Sequence, residues 1–363
     1  MSHTGPTPPS LRTFLHILLV AASATHAAGQ AGSAGAGKQP SGDPAKLSRW
    51  LELQTSSVTS RYRYIEDSGG AVVENQCQYQ DVFRGRFKID NRGQYSVNAG
   101  VASGRSFTSS WNATGWGTGE PVSNHYLKQL YFSGTPGQGI EFQYGGLYLL
   151  RGESTEITSY DNDGYIVGQR LSLKRPRELF FDEVSITYGY FGDETLPNLN
   201  KRFNRLKRSN YHQWLVVKNI GPRAGLSVGY TFNGGIETLR QAVRVRTPEL
   251  RVVDLIRFEN YQRTDVQPDF GFAVFSEKTL QRRLTIGGGY TDIDRNYGGL
   301  NGDRWVTGRR LFAAASFAVC PEFTISAYAT RAVKTGFPIA NATRVDIVFS
   351  YNLLESLKRT SLF

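Results

Sequence analysis

The stretch TRVDIVFSYNLL, from Thr343 to Leu354, alternates with a period of two residues. The odd-numbered positions from 345 to 353 carry apolar or aromatic side chains, and most of the residues between them are polar. This alternation indicates a β-strand with one face in water and the other face shielded from it. The fold therefore depends on what the apolar face contacts, which is either a protein core or something outside the protein.

The same alternation recurs along the chain after Arg49. In QCQYQDVFRGRFKID the apolar face carries Phe83 and Phe87, and in GIEFQYGGLYLL it carries Phe142, Tyr148 and Leu150. We count about sixteen such segments (14–18), and no long amphipathic helix, although AKLSRWLEL is compatible with one or two helical turns. The segments begin near Leu51, Gln76, Gln94, His125, Gly139, Gly164, Asp182, Tyr211, Arg223, Thr238, Leu250, Asp269, Arg283, Arg304, Glu322 and Asn341. The sequence therefore predicts an all-β domain.

Composition limits the classes of partner and chemistry. The net charge is +11, which first raises nucleic acid as a partner. The chain has no zinc-ligand pattern, no basic helix and no RNA-binding signature, so we expect no nucleic-acid partner. The two cysteines, Cys77 and Cys320, form no CxxC pair and no metal-binding spacing, so no metal or other cofactor is predicted.

The N-terminus predicts export. LRTFLHILLVAASATHAA joins Arg12 to a short apolar run and then to small residues, which is typical of a secretory signal peptide. The segment that follows is rich in Gly, Ala and Ser and is typical of a flexible linker. We predict a signal peptide at 1–27, a linker at 28–48 and one barrel domain at 49–363.

The connections between the predicted strands alternate between short and long. Short ones include DNRGQ, NIGPR and CPE, and long ones include RGESTEITSYDND and GDETLPNLNKRFNRLKRSN. Up-and-down antiparallel strands with short periplasmic turns and longer extracellular loops are typical of a transmembrane β-barrel. A sandwich or a propeller would show turn signals without this alternation in length.

The size of such a barrel decides where its apolar face points. A closed barrel of about sixteen strands has a lumen too wide for side chains to fill, so the polar face must line water and the apolar face must contact lipid. Closure is required because an unpaired backbone group in hydrocarbon costs several kcal/mol. The alternative, a secreted soluble β-protein, would place the same apolar residues inside.

The chain ends in Phe363, and with this residue it resembles the outer-membrane β-barrel proteins of Gram-negative bacteria, porin-like ones in particular. The resemblance rests on the signal peptide, the strand and loop pattern and the terminal phenylalanine. It implies a place in the cell outer membrane and contact with its lipid and lipopolysaccharide, and it is compatible with a homo-oligomer. The final ESLKRTSLF departs from the family because it does not alternate like a strand.

The predicted lumen face is rich in arginine. If these side chains line a water-filled pore, their charge favours small hydrophilic anions, most strongly at a constriction. The predicted pore-lining residues are Arg61, Arg63, Arg84, Arg86, Lys88, Arg151, Arg170, Arg240, Arg244, Arg246 and Arg344. A basic run in one of the longest loops supplies candidates for the constriction, which are Lys201, Arg202, Arg205, Lys207 and Arg208. The predicted function is passive diffusion of such solutes.

Catalytic and metal motifs are weak. GLSVG around Ser227 fits a nucleophile motif, but a strand continues through it, where the motif needs a sharp turn into a helix. His125 and His212, the histidines left after signal removal, lie at predicted strand starts. DIDRNYGG and YDNDGY lack the ligands of a calcium loop. We therefore predict no enzyme, and keep a non-porous scaffold or adhesin, and a barrel hydrolase, as alternatives.

Overall fold

The structure is a computed structural model and describes residues 45–46, 50–107, 109–137, 139–158, 166–174, 180–192, 202–265, 269–294, 307–334 and 338–359. The described elements are β1 (Ala45–Lys46), β2 (Leu51–Glu66), β3 (Val72–Lys88), β4 (Tyr95–Ser103), β5 (Asn112–Gly117), β6 (His125–Gly137), β7 (Ile140–Leu147), β8 (Ile166–Leu173), β9 (Glu183–Phe191), β10 (Tyr211–Ile220), β11 (Ala224–Asn233), β12 (Ile236–Arg246), β13 (Leu255–Arg263), β14 (Phe270–Leu280), β15 (Leu284–Ile293), β16 (Gly308–Cys320), β17 (Phe323–Lys334), β18 (Thr343–Asn352) and α1 (Leu353–Arg359). In the described part of the chain, no helix is both long and apolar enough to span a membrane.

The strands form one closed antiparallel barrel. The barrel wall consists of β2–β4 and β6–β18, and each of these strands pairs with the next one in the wall. The last strand, β18, pairs with β2, with Val348 opposite Arg61, and this pairing closes the barrel. The other two strands are additions: β1 pairs with the start of β2, and β5 pairs with β3 beyond the end of β4. The predicted barrel of sixteen antiparallel strands is confirmed, because period-two alternation fixes both the strands and their register.

The connections give the barrel two different ends. At the turn end the strands are joined by 89–94, 138–139, 174–182, 221–223, 247–254, 281–283 and 321–322. At the loop end they are joined by 67–71, 104–124, 148–165, 192–210, 234–235, 264–269, 294–307 and 335–342. Gly234 and Gly235 both have positive φ, which suits the two-residue connection they form. The predicted alternation of short turns and longer loops is therefore present, with short exceptions at 67–71 and 234–235.

The two faces of the strands have opposite chemistry. Phe83 and Phe349 are 42% and 40% exposed on the outside of the barrel, while the polar residues that alternate with such side chains point inward. Arg61 and Asp346 are among the polar residues buried inside. A barrel with an apolar outer surface and a polar lumen matches a protein whose outer surface contacts lipid.

Three local predictions were wrong. The loop after β4 contains the extra strand β5, and AKLSRWLEL forms the end of β1 and the start of β2 where it is described, not a helix. Tyr148 and Leu150 do not continue β7, which ends at Leu147. The positions of strands within loops and of strand ends depend on contacts with other parts of the barrel. The alternation of residues along one segment gives no information about those contacts.

The last barrel strand ends well before the C-terminus. The Oδ1 atom of Asn352 accepts hydrogen bonds from the backbone N–H groups of Leu354 (3.1 Å) and Glu355 (3.4 Å), as at the N-cap of a helix. The short helix α1 follows and buries Leu354. Phe363 lies outside the described residues, and β18 ends at Asn352.

Candidate functional site

The chain turns into the lumen directly after β7. Residues 148–158, here called the inward segment, bury Leu149, Thr155, Ile157 and Thr158 inside the barrel. The segment contacts β10–β13, and β13 lies six strands further along the sheet than β7. In a barrel of sixteen strands this places β13 nearly opposite β7. The inward segment therefore crosses the lumen and narrows it.

A buried carboxylate holds the far end of the inward segment. Glu259 on β13 is fully buried and accepts hydrogen bonds from the backbone N–H of Thr155 (N to Oε2, 2.6 Å) and the hydroxyl of Thr158 (Oγ1 to Oε2, 2.8 Å). The hydroxyl of Thr155 donates to the other carboxylate oxygen. Hydrogen bonds to a charged acceptor offset part of the cost of burying the carboxylate. Glu259 therefore acts as a clasp on the segment.

The middle of the inward segment is held by β11 and β12. The guanidinium of Arg244 forms a two-pronged ion pair with Glu153, with Nε–Oε2 and Nη2–Oε1 distances of 2.8 and 3.0 Å. The backbone N–H of Glu153 donates to Ser227 Oγ (2.9 Å). Gly152 lies against the same serine with φ +63°, where an added Cβ would meet Ser227 Cβ at 2.6 Å. The close approach therefore requires glycine at this position.

Arginines of the barrel wall hold the backbone of the segment. Arg240 Nε donates to the carbonyl of Thr158 (2.6 Å), and an Nη2–H of Arg170 donates to the carbonyl of Tyr148. Arg170 also lies over the ring of Tyr148, 4.8 Å from its centroid. With Arg244, three predicted pore-lining arginines thus position the segment.

An apolar layer accompanies these polar contacts. Its buried residues come from the inward segment, from the wall and from the loop after β4, and form one connected cluster. The members are Phe107, Tyr131, Leu147, Leu149, Ile157, Ile166, Phe191, Tyr211, Tyr261, Ala273, Phe275, Ile293 and Tyr328. Packing of this kind makes the inward segment part of the folded core of the barrel and resists its displacement.

A second element enters the lumen beside it. The carbonyl of Phe107 accepts a hydrogen bond from Lys128 Nζ, and the guanidinium of Arg202 lies 4.5 Å from the Phe107 ring centroid. Of the predicted constriction residues, only Arg202 is placed in the lumen in this way. Arg205 lies over the ring of Tyr190 at 5.8 Å, Lys207 and Arg208 are exposed, and Lys201 lies outside the described residues.

Arginines of β2 and β18 form a charged wall around one carboxylate. Arg344 Nη2 lies 2.6 Å from Asp346 Oδ2, and Arg63 Nε lies 3.2 Å from Asp346 Oδ1. Arg61 Nη1 lies 4.0 Å from the same carboxylate and its guanidinium lies 3.8 Å from the ring centroid of Trp111. Arg63 Nη1 also lies 3.5 Å from Glu74 Oε2 on β3, so among the described residues this wall sets three arginines against two carboxylates.

The two halves of the lumen differ in access to water. Near the loop end the side chains of Arg61 and Arg344 are 2% and 0% exposed. Near the turn end the side chains of Arg86 and Lys88 are 29% and 19% exposed, although both lie close to Glu52. Along β2, β3 and β18, the lumen side chains near the turn end are therefore more accessible to water than those near the loop end.

The remaining predicted pore-lining residues are spread over these environments. Arg84 is partly exposed on the lumen side of β3, and Arg246 is exposed at the turn end of β12. Arg151 is buried in the inward segment, not on a strand as predicted. The structure places these side chains, and their effect on permeation stays a prediction.

Several residues of the site were missed in the sequence. Four more charged side chains lie at strand positions that point into the lumen and are buried there. They are Glu259, Lys128, Arg257 and Arg310. Alternation could have identified Arg257, which lies between Ile256 and Phe258, but the signal is weaker for the other three, because each has only one apolar neighbour. No sequence pattern marks the inward segment itself, since its apolar and polar residues follow neither a strand nor a helix period.

In the part of the chain that the structure describes, the other motifs do not assemble into a reactive site. Ser227 lies within β11, and its Oγ accepts the hydrogen bond from Glu153. His125 Nε2 lies 2.7 Å from Asp81 Oδ2, and the His212 ring packs against Tyr188 with centroids 4.5 Å apart. Within the described ranges, no group of three or more His, Cys, Asp or Glu side chains is arranged to hold a metal ion. Most of the DIDRNYGG motif lies outside the described residues.

Comparison with known proteins gives similarity in structure but not in sequence. No family model matches the chain, and no curated protein matches it. OmpF of Salmonella typhi, solved in a complex with daunomycin, is 9% identical, with a TM-score of 0.58 over 85% of this chain and 100% of that chain. A mutant of the Rh. blastica porin is 10% identical, with a TM-score of 0.54 over 83% and 99% of the two chains. OprB of Pseudomonas putida, in a low-pH structure, is 11% identical, with a TM-score of 0.51 over 84% and 93%.

These similarities cover nearly the whole of each related barrel. They agree with the closed sheet of sixteen antiparallel strands and with its polar lumen and apolar outer surface. At this level of sequence identity they establish the fold. The chain is therefore a porin-like barrel with the fold of the outer-membrane porins.

Proposed function

We propose that the protein is an outer-membrane pore for the passive diffusion of small hydrophilic solutes, with a preference for anions. The observation that carries this proposal is the polar lumen, where Arg61, Arg63 and Arg344 outnumber the two described carboxylates beside them, Asp346 and Glu74. Charge of one sign along a water-filled path favours ions of the opposite sign. The porin-like fold supports a barrel that spans the outer membrane.

The same proposal includes a narrow path. Because the inward segment fills much of the loop-end half, only small solutes would pass, and the exposed Arg86 and Lys88 would meet them in the turn-end half. The apolar outer surface would contact membrane lipid and lipopolysaccharide. The predicted signal peptide (1–27) and linker (28–48) support export, and a homo-oligomer is compatible with this account. No enzymatic step is proposed.

The selectivity of the pore for anions over cations can be measured directly. The refolded barrel, inserted in a planar bilayer between unequal KCl solutions, is expected to give a zero-current potential of the sign set by chloride. The substitution Arg86→Gln should move that potential toward zero, because it removes a charge that faces the accessible lumen. Arg309→Gln is the matched control, since Arg309 lies on the outer surface beside Asp292.

Each possible failure of this experiment has a distinct meaning. A barrel that folds and inserts but gives no current would refute the pore and favour a non-porous scaffold. A zero-current potential of the sign set by potassium would refute the anion preference and leave the pore standing.

A further inference from the structure

One arginine of the lumen wall lacks a counter-charge. The wall formed by β16, β18 and β2 carries Arg61, Arg63, Arg344 and Arg310, and Asp346 is fully buried among the first three. Arg310 lies on β16, across β17 from Arg344, with its side chain fully buried. In the part of the chain that the structure describes, no carboxylate pairs with Arg310.

The guanidinium of Arg310 is only partly hydrogen-bonded. Its Nη2 donates to the backbone carbonyl of Asn341, while Nε and Nη1 have no hydrogen-bond partner among the described residues. Arg344 is also fully buried and lies on β18, with only β17 between its strand and that of Arg310. Two like charges are therefore buried in the same part of the wall.

A buried hydroxyl group lies on the neighbouring strand. Thr291 on β15 is the cross-strand neighbour of Arg310, and its side chain points to the same side of the sheet. It is fully buried, and its Oγ1 has no hydrogen-bond partner within the described ranges. Two cross-strand neighbours thus both carry buried polar atoms without a hydrogen-bond partner.

Burial of an uncompensated charge is costly, and an unsatisfied buried polar group calls for an ion or a water molecule as its missing partner. A planar guanidinium with a neighbouring hydroxyl matches the oxygen atoms of a carboxylate or a phosphate. We propose that Arg310 and Thr291 form a binding site for a small oxyanion in the loop-end half of the lumen. A role of this site in transport rests on the proposed anion-selective pore, whereas binding of the anion itself does not.

The burial of the site has a consequence for binding. Asn341 belongs to the described segment 338–342, where Ile339 and Asn341 are buried over the barrel end of β16. An anion must move this segment aside to reach Nε and Nη1. The site therefore binds its anion more slowly than the open turn-end half admits ions.

Thermal unfolding of the whole refolded barrel in detergent tests the site without any current. At constant ionic strength, inorganic phosphate should raise the temperature of half-unfolding above its value in chloride, and the rise should saturate with phosphate concentration. In Arg310→Gln the apparent affinity should fall by about tenfold or more, since hydrogen bonds to a charged group are lost. Acetate in a parallel series distinguishes carboxylate from phosphate.

Control variants keep this test decisive. Arg309→Gln, on the same strand but on the outer face, should respond to phosphate like the wild type. Thr291→Val, which keeps the size of the side chain, should weaken the response without abolishing it, and serves if Arg310→Gln does not fold. An equal response of wild type, Arg310→Gln and Thr291→Val, or no saturation, would overturn the site. In a bilayer, loss of all current would count against the pore proposal but not against this binding result.

Discussion

Replacing Glu259 with glutamine is expected to raise the single-channel conductance several-fold. The Glu259 carboxylate accepts three hydrogen bonds from Thr155 and Thr158 of the inward segment, which crosses the lumen. The amide of glutamine carries one oxygen and one NH₂ group, so it cannot accept all three. A hydrogen bond to a charged group contributes about 1.5–3 kcal/mol, so losing one of the three is enough to loosen the far end of the segment. The lumen then widens where it is narrowest.

The control for this variant is Glu277→Gln. Glu277 lies on the neighbouring strand β14 and on the lumen side, opposite Leu255 of β13. Because no hydrogen bond of Glu277 to the inward segment is observed, its substitution removes the same charge and leaves the clasp in place. Equal conductance of wild type and Glu259→Gln, or equal increases in both variants, would contradict the role of the clasp.

Replacing Asp346 with asparagine is expected to have the largest effect on stability. Its carboxylate is the acceptor for Arg344 and Arg63 and lies 4.0 Å from Arg61. Breaking a buried ion pair by removing one partner costs about 3–5 kcal/mol, because the remaining charges stay buried without compensation. The free energy of unfolding, measured by denaturant titration of the refolded barrel, should fall by about this amount.

Asp254→Asn provides the comparison for this stability measurement. Asp254 is 36% exposed at the turn end and pairs with Lys278 at 2.6 Å. Exposed ion pairs contribute about 0–1 kcal/mol, so this variant should unfold nearly like the wild type. If Asp346→Asn is as stable as Asp254→Asn, the arginines of the wall do not depend on that carboxylate.

The strands and their faces could be predicted closely from the sequence. Phe83, Phe87 and Phe349 lie on the outside, and the arginines that alternate with them point inward. Alternation is a local property, and a slip of one residue would place a whole strand's apolar set in water. Strand position, strand number and barrel closure follow from it together.

The constriction could not be predicted in the same way. Charge density selected the run that contains Lys207 and Arg208, and these two side chains are exposed to solvent. The segment that enters the lumen is held by Glu259, 104 residues beyond Thr155 in the chain. A contact of this kind depends on which strands face each other across the closed barrel. Periodicity within one segment carries no information about it.

The C-terminal helix could be predicted from the sequence only in part. The alternation correctly stops near Leu354, and ESLKRTSLF was not assigned to a strand. The capping contact of Asn352 is a local helix signal, and the sequence contains it. This signal predicts the start of a helix only if β18 is already known to end at Asn352.

The most direct test of the account measures which face of β18 meets the aqueous lumen. In a variant with Cys77 and Cys320 replaced by serine, Ile347→Cys and Val348→Cys place a thiol on the outer and on the inner face of one strand. A charged, water-soluble thiol reagent applied during bilayer recording should reduce the current through Val348→Cys and leave that through Ile347→Cys unchanged. A current that responds at Ile347→Cys and not at Val348→Cys would contradict the account.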